Sequence, residues 1–329
     1  MSDNISIKNT SGLDFEGSYE ASILDAALEH GYHFEYSCQS GQCGVCKTNL
    51  LEGRVVELQS QKALSEADIK ANKILTCCCA PETDIRIDSE DLSVLKDIEV
   101  KTLPVRINKI VKHSDHIIEI DLRLPPTADF RFLEGQYIDI IGPNGVRRSY
   151  SIGNNADEKF LKLFIKKLEN GVMSQYWFNE VKENDLLRIE GPKGSFFFRD
   201  LKKHIVFLAT GTGIAPVKSI LDMLAQRDDL PEYMMFSLYW GNRHPEDFFW
   251  RPAYDTFDLK YVPVLSRAHS EWQGRVGYIQ DAIIEDGLVI EDSQFYACGS
   301  MRMIESAHKI FSENGMNEKY FHSDAFVSS

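Results

Sequence analysis

The chain has 329 residues, 43% of them hydrophobic and 26% charged, with a formal net charge of −14. That length exceeds one typical core and suits two or three domains, and the acidic balance argues against nucleic acid or an anionic membrane as a partner. No apolar run is long enough to span a bilayer and the opening MSDNISIKNT lacks a basic-then-apolar leader, so a cytoplasmic protein is expected.

Residues 1–92 form the first predicted domain. Short alternating segments (ISIKN, LDFEG, RVVEL, DIRID) surround a helical stretch at 22–29, where Ser22 is placed to cap and Asp25 follows three residues on. Acid gathers here: residues 1–95 hold 7 Lys/Arg against 16 Asp/Glu, a net −9, which serves either solubility or an acidic docking face. Six of the seven cysteines lie between Cys38 and Cys79, and in a reducing compartment such clustering points to metal or redox chemistry rather than disulfides. The segment SCQSGQCGVC sets Cys38, Cys43 and Cys46 in C-x4-C-x2-C order, and the triplet Cys77–Cys79 follows about thirty residues later. This is the plant-type [2Fe–2S] spacing. One tight loop supplies three thiolates, while Gly41 and Gly44 let backbone N–H groups approach the sulfurs. Zinc knuckles favour paired C-x2-C arms, which the loop lacks. Of three adjacent side chains on an extended backbone only one points in a given direction. Cys77, directly after Ile74-Leu75-Thr76, is the expected fourth ligand, with Cys78 and Cys79 as packing residues.

After SEDLSVLKDIEVK, which reads as a linker, residues 101–200 form short β-like runs (PVRINKIV, IIEIDLRL, QYIDIIG, FLKLFIKKL, LLRIEGP) that predict an antiparallel barrel or sandwich. Within it, Arg148-x-Tyr150-Ser151 suits a flavin: a guanidinium for pyrophosphate, a flat ring for the isoalloxazine and a hydroxyl near N5. Gly171 and Ser174 of GVMS follow, the first allowing backbone approach to the pyrophosphate and the second expected to cap a short helix facing it. From 203 to 329, buried runs alternate with helical ones, which predicts a parallel sheet. HIVFLATGTGIAPVKSIL is a strand, a turn and a helix opening at Pro216, with Gly211 and Gly213 suited to close approach of a nucleotide pyrophosphate; its G-T-G-x-A-P is not the ordinary Rossmann fingerprint. Cys298 in YACGS is placed to touch the nicotinamide. Phe326 in the apolar tail SDAFV is expected to cover the flavin face that nicotinamide must reach.

These motifs, in this order, resemble the ferredoxin–NADP reductase superfamily carrying an N-terminal ferredoxin domain, over essentially the whole chain. The resemblance implies a multidomain protein with an α+β β-grasp ferredoxin domain, an antiparallel β-barrel flavin domain and an α/β parallel-sheet nucleotide domain. It implies FAD held by Arg148, Tyr150, Ser151, Gly171 and Ser174. It also implies a nicotinamide cofactor contacted by Gly211, Thr212, Gly213 and Cys298. NADH is the expected donor, while Arg243 and Ser266–Arg267 leave NADPH open through its 2′-phosphate. The segments LRLPPTA, RRSYSI, RIEGPKGSFF, APVKS, YACGS and SDAFV look like those of reductases in 3,6-dideoxyhexose (O-antigen) synthesis. That implies a pyridoxamine-phosphate (PMP)-dependent sugar dehydratase, acting on CDP-4-keto-6-deoxyglucose, as electron acceptor. Reductase components of ring-hydroxylating dioxygenases and other oxygenases share the module order. Nicotinamide gives two electrons together and a [2Fe–2S] centre takes one, so a flavin is expected between them. Tyr150, Ser151 and Cys298 are then the candidate catalytic residues, and electrons leave through the loop 39–45.

Overall fold

The computed structural model describes residues 4–142, 145–199, 202–267 and 271–326. The chain forms two compact units, one ending at Ile98 and one running from Glu99 to Phe326.

In the first unit, β1 (Ile5–Asn9) and β2 (Asp14–Gly17) precede α1 (Ile23–Glu29). Then come β3 (Lys47–Glu52), β4 (Val55–Glu57), α2 (Glu66–Lys70), β5 (Lys73–Leu75), β6 (Cys79–Pro81) and β7 (Ile85–Ile87). The main sheet has the order β2-β1-β7-β3-β5, with β1 and β7 parallel and the other pairs antiparallel. A mixed sheet grasping one helix is the expected β-grasp. Ser22 starts α1 as read from sequence: its Oγ accepts from the Asp25 N–H at 3.0 Å, replacing a partner that the first turn cannot supply. Ile23, Leu24, Ala26 and Ala27 form the buried face of the helix and share a core with Ile7, Phe34, Leu75 and Ile87. The stretch read as a linker does not begin as one. Leu92 and Leu95 are buried and the Leu92 N–H donates to the His33 carbonyl at 2.7 Å, and a leucine side chain gains more from burial than from solvent.

The second unit holds the other two sheets. The antiparallel one contains β8 (Lys101–Lys112), β9 (Ile117–Arg123), β10 (Tyr137–Ile141), β11 (Arg147–Ser151), β12 (Phe160–Lys166) and, after the short α3 (Val172–Gln175), β13 (Leu186–Lys193). Its order, β11-β10-β13-β8-β9-β12, leaves β11 and β12 as neighbouring edges of a near-closed barrel. Leu161, Leu163 and Ile165 face its interior with Ile118, Ile120, Ile138 and Ile140. Lys162 is on the other face of β12, paired with Glu119 and Asp121; this is the period of two that marked these runs.

The parallel sheet contains β14 (His204–Thr210), α4 (Ile214–Leu224), β15 (Met235–Asn242), β16 (Leu259–Leu265), β17 (Arg275–Val276), α5 (Ile279–Glu285), β18 (Ser293–Ser300), α6 (Met301–Glu313) and β19 (Phe321–Phe326). Its order is β17-β16-β15-β14-β18-β19. Ile205–Ala209 are fully buried, as a strand covered on both faces requires. Successive strands step one way from β14 to β15 and the other way to β18, so a topological switch point, the place where such sheets bind ligands, lies at the end of β14. The helix there starts at Ile214 and not at Pro216, since a 3-10 turn over Gly211–Gly213 runs directly into it. Pro216 fits inside the first turn, where its N–H is not needed.

Candidate functional site

The cysteine loop gathers its thiols in twos. Cys43 donates to Cys38, and Cys46 Sγ donates to Cys77 Sγ at 3.3 Å. Main-chain N–H groups add to this: Ser40 and Cys43 each reach Cys38 Sγ at 3.4 Å, and Gly41 reaches Cys77. At Cys43 the N–H groups are those of Cys38 and Val45, while the Gly44 carbonyl accepts from Lys47. The hydrogen bond from Cys43, helped by Ser40, draws the Cys38 thiol down to about 4 against its burial, and the one from Cys46 draws Cys77 down to about 7. Cys43 and Cys46 are pushed up in return, first by those same hydrogen bonds and then by burial. Of the neighbouring thiols, Cys78 has its Sγ 3.6 Å from that of Cys77, and Cys79 is buried on β6. Sequence reasoning missed the clasp opposite. The Gln59 side chain donates to the Cys77 carbonyl at 2.8 Å and to the Gln39 carbonyl at 3.2 Å, joining the two halves of the thiol set.

On β11 the two arginines separate. Arg147 pairs with Glu190 at 2.8 Å. Arg148 donates to the Arg147 carbonyl at 2.7 Å and, among the described residues, pairs with no carboxylate. Tyr150 is fixed by Trp177, whose Nε1 donates to the tyrosine oxygen at 2.8 Å with the rings edge-on at 5.9 Å and 90°. Burial pushes the Tyr150 phenol up to about 12, so it stays neutral. Ser151 faces a partner far along the chain: its Oγ donates to Asp324 Oδ2 at 3.3 Å, and Cys298 Sγ reaches the same oxygen at 3.9 Å. Cys298 and Asp324 are paired neighbours on β18 and β19, so the barrel hydroxyl, the thiol and the carboxylate meet in one buried spot. Burial first, then Asp324, keeps Cys298 a thiol. Asp324 escaped the sequence reading although a lone acid in the apolar tail was its signal. Phe326 ends β19 opposite Ser300, exposed, and residues 327–329 lie outside the described residues.

Gly171 itself occupies the cap position of α3, with Ser174 inside the helix, where its Oγ accepts from the Leu168 N–H at 2.9 Å. The expected capping by Ser174 is therefore replaced by a tie to the preceding turn, which a hydroxyl three residues into a helix can reach. In the turn after β14, Gly211 has φ +56°, Thr212 is mostly buried, and Gly213 lies against β18: a Cβ at Gly213 would strike the Cys298 carbonyl and stand 2.8 Å from Gly299 Cα. Gly213 is thus demanded by the approach of β18, whereas space at Gly211 is open towards Lys166. Lys166 pairs with Asp247 at 2.9 Å, and Ser219 Oγ on α4 donates to the Asn154 carbonyl at 2.6 Å, fastening the nucleotide turn to the flavin strands. Arg243 and Ser266–Arg267 are exposed beyond the C-terminal ends of β15 and β16, on the edge where the Gly211 turn lies.

Three family descriptions match along the chain: a 2Fe-2S iron-sulfur cluster binding domain at 7–82, an oxidoreductase FAD-binding domain at 104–198 and an oxidoreductase NAD-binding domain at 207–309. A CDP-6-deoxy-L-threo-D-glycero-4-hexulose-3-dehydrase reductase of Yersinia pestis is 41% identical over the whole of both chains. Protein RfbI of Salmonella typhimurium is 39% identical, covering 97% of this chain and 95% of its own. The chain belongs to the family of these iron–sulfur flavoprotein reductases. A more distant member, terephthalate 1,2-dioxygenase reductase component 1 of Comamonas sp, is 30% identical over 94% of this chain and 93% of its own. Among solved structures, the Amycolatopsis cytochrome P450 reductase GcoB superposes with a TM-score of 0.74 at 25% identity, covering 98% of this chain and 99% of that one.

As a member of this family the protein is a nicotinamide-dependent oxidoreductase using FAD and a [2Fe–2S] cluster. Its residues fit those groups. Thiols grouped in twos, Cys38 with Cys43 and Cys46 with Cys77, suit a cluster that takes two at each iron. Arg148, with no acid partner among the described residues and beside an anchored tyrosine, suits a flavin diphosphate, and the Gly-rich turn at the switch point suits a dinucleotide.

Proposed function

We propose that this protein carries electrons from NADH to a PMP-dependent dehydratase acting on CDP-4-keto-6-deoxyglucose, supporting 3,6-dideoxyhexose formation. The full-length match at 41% to the Yersinia hexulose-dehydrase reductase carries this reading, against 30% to the dioxygenase component. Cys38, Cys43, Cys46 and Cys77 hold the cluster. Arg148, Tyr150, Ser151, Gly171 and Ser174 hold FAD, Gly211, Thr212, Gly213 and Cys298 meet the nicotinamide cofactor, and Phe326 covers the flavin face that the nicotinamide must reach.

Bound FAD supplies the exchange between a two-electron donor and a one-electron acceptor. The chain's part is positioning. Asp324 accepts from Ser151 and so orients that hydroxyl at the barrel edge. Cys298, kept protonated, offers a small apolar contact and not a nucleophile. Gly213 allows β18 to stand close to the pyrophosphate turn, which sets Cys298 beside it. Tyr150, neutral and pinned at its oxygen, presents a fixed ring.

The test mixes the purified protein with such a dehydratase, CDP-4-keto-6-deoxyglucose and NADH, at low and high salt. Deoxysugar should form, and transfer should slow as salt screens the acidic field of residues 1–95. No product, together with efficient reduction of an oxygenase component, would move the assignment to the oxygenase reductases, to which the terephthalate component at 30% identity belongs. A kcat/KM strongly favouring NADPH would overturn the choice of NADH.

A further inference from the structure

Beside the fourth cysteine runs a strip of chain with uncovered apolar side chains. Val56, in β4, is 41% exposed, and Leu58, the residue just past the end of that strand, is 45% exposed. On the ladder Val56 stands opposite Ala80, and Glu57 opposite Cys79. Immediately beyond it, the Leu58 and Gln59 N–H groups both donate to the Cys78 carbonyl, at 2.8 Å and 3.3 Å. Gln59 then reaches across to the Cys77 and Gln39 carbonyls. The backbone of 56–59 is therefore bound alongside 77–80 and tied to the cysteine loop. Gln39, Leu58, Gln59 and Ser60 are exposed there and carry no charge, while the exposed carboxylate of Glu57 stands between Val56 and Leu58. All of them belong to a segment with a net −9 over residues 1–95.

Exposed apolar side chains within an acidic field, on a segment tied to the cysteine loop, have the anatomy of a transient contact: an apolar centre for docking and surrounding charge for steering. We propose that Val56 and Leu58 are the anchor on which a one-electron-accepting protein docks, and that this protein presents a shallow apolar face rimmed by Lys and Arg. The proposal rests on the reading above only in that a protein takes the electrons; it does not depend on which one. Redox encounters bury little surface, so a single anchor holds a large share of the contact and its loss is felt strongly.

The test uses the holoprotein and mitochondrial cytochrome c, a basic protein that accepts one electron at an edge surrounded by lysines. Leu58→Asp and Val56→Asp are compared with wild type and with Leu186→Asp, a leucine on the barrel that is 65% exposed and gives the same change of charge. NADH–ferricyanide turnover and the visible cluster and flavin absorption serve as controls. Leu58→Asp should lower kcat/KM for cytochrome c about tenfold or more. Ferricyanide turnover and absorption should be unchanged, and Leu186→Asp should show no fall. If steering by charge were the whole interaction, the added carboxylate would leave the rate equal or raise it, and that result overturns the proposal. Loss of cluster absorption in both Leu58→Asp and the milder Leu58→Ser would also overturn it, by making Leu58 a structural residue. Deoxysugar formation by wild type with the dehydratase reports separately on the identity of the acceptor.

Discussion

Replacing Gly213 by alanine should harm this protein more than the same change at Gly211, although both stand in one turn. At Gly213 the new Cβ meets backbone: the Cys298 carbonyl, and Gly299 Cα at 2.8 Å. Carbon atoms rest at about 3.5–4.0 Å, so the turn and β18 must separate by roughly 0.7 Å or more. Overpacking of that kind costs about 1–3 kcal/mol. At Gly211 the φ of +56° strains an alanine, but the nearest neighbouring atom is Lys166 Cδ at 3.9 Å; the left-handed conformation alone costs about 1–2 kcal/mol. In a unit of this size each kcal/mol moves the melting midpoint by about 2–4 °C. The larger difference should be kinetic. Separating the turn from Cys298 misplaces the nucleotide against the buried Ser151–Asp324–Cys298 group, and a displacement near 1 Å can cost about 100-fold. Scanning calorimetry and stopped-flow bleaching of the flavin by NADH measure the two effects. Equal rates for both variants, or a slower Gly211→Ala, would refute the assignment of Gly213 to the β18 contact.

Cys77→Ser should abolish the visible [2Fe–2S] absorption and leave that of the flavin; the same loss from Cys78→Ser or Cys79→Ser instead would show another ligand. Asp324→Ala removes the acceptor shared by Ser151 and Cys298, and hydrogen bonds to a charged group are worth about 1.5–3 kcal/mol. Flavin reduction by NADH should therefore slow about 10- to 100-fold in stopped-flow measurements. Cys298 is fully buried and its thiol is raised above its ordinary value of 9.0, so thiolate does not form as pH rises to 9. Iodoacetamide should leave Cys298 unmodified at pH 9 by mass spectrometry until the protein is unfolded. Deleting residues 325–329, which removes Phe326, should change the rate of flavin reduction by NADH; an unchanged rate removes its covering role.

Local chemistry was legible wherever a residue's role depends on near neighbours. The cap at Ser22, the period of two in FLKLFIK and the doubly buried HIVFLAT each declare themselves because hydrogen bonding within a turn and the alternation of a strand are local. The C-x4-C-x2-C loop is of the same kind, since one short segment wraps its own sulfurs. Where sequence reading strayed, the deciding partner was distant. Ser174 was expected at a cap but is tied to Leu168. Leu92 and Leu95 were read as linker until a core accepted them. Gly213 is expected at the pyrophosphate from its motif, but that its lack of a side chain also makes room for β18, some 85 residues further on, is not written in the motif.

The sequence by itself determined three blocks in order, each with its motif: cysteine loop, flavin strand and nucleotide turn. It did so because each motif is contiguous and its chemistry requires particular residue types at fixed spacing. Tertiary structure alone decided which side chains meet. Asp324 joins Ser151 across 173 positions because β19 pairs with β18 at the edge of the parallel sheet, and Gln59 bridges Gln39 to Cys77 because β4 pairs with β6. No periodicity encodes such contacts. They follow from the order in which strands assemble, which is set by the burial of whole sheets and not by the residues that finally touch.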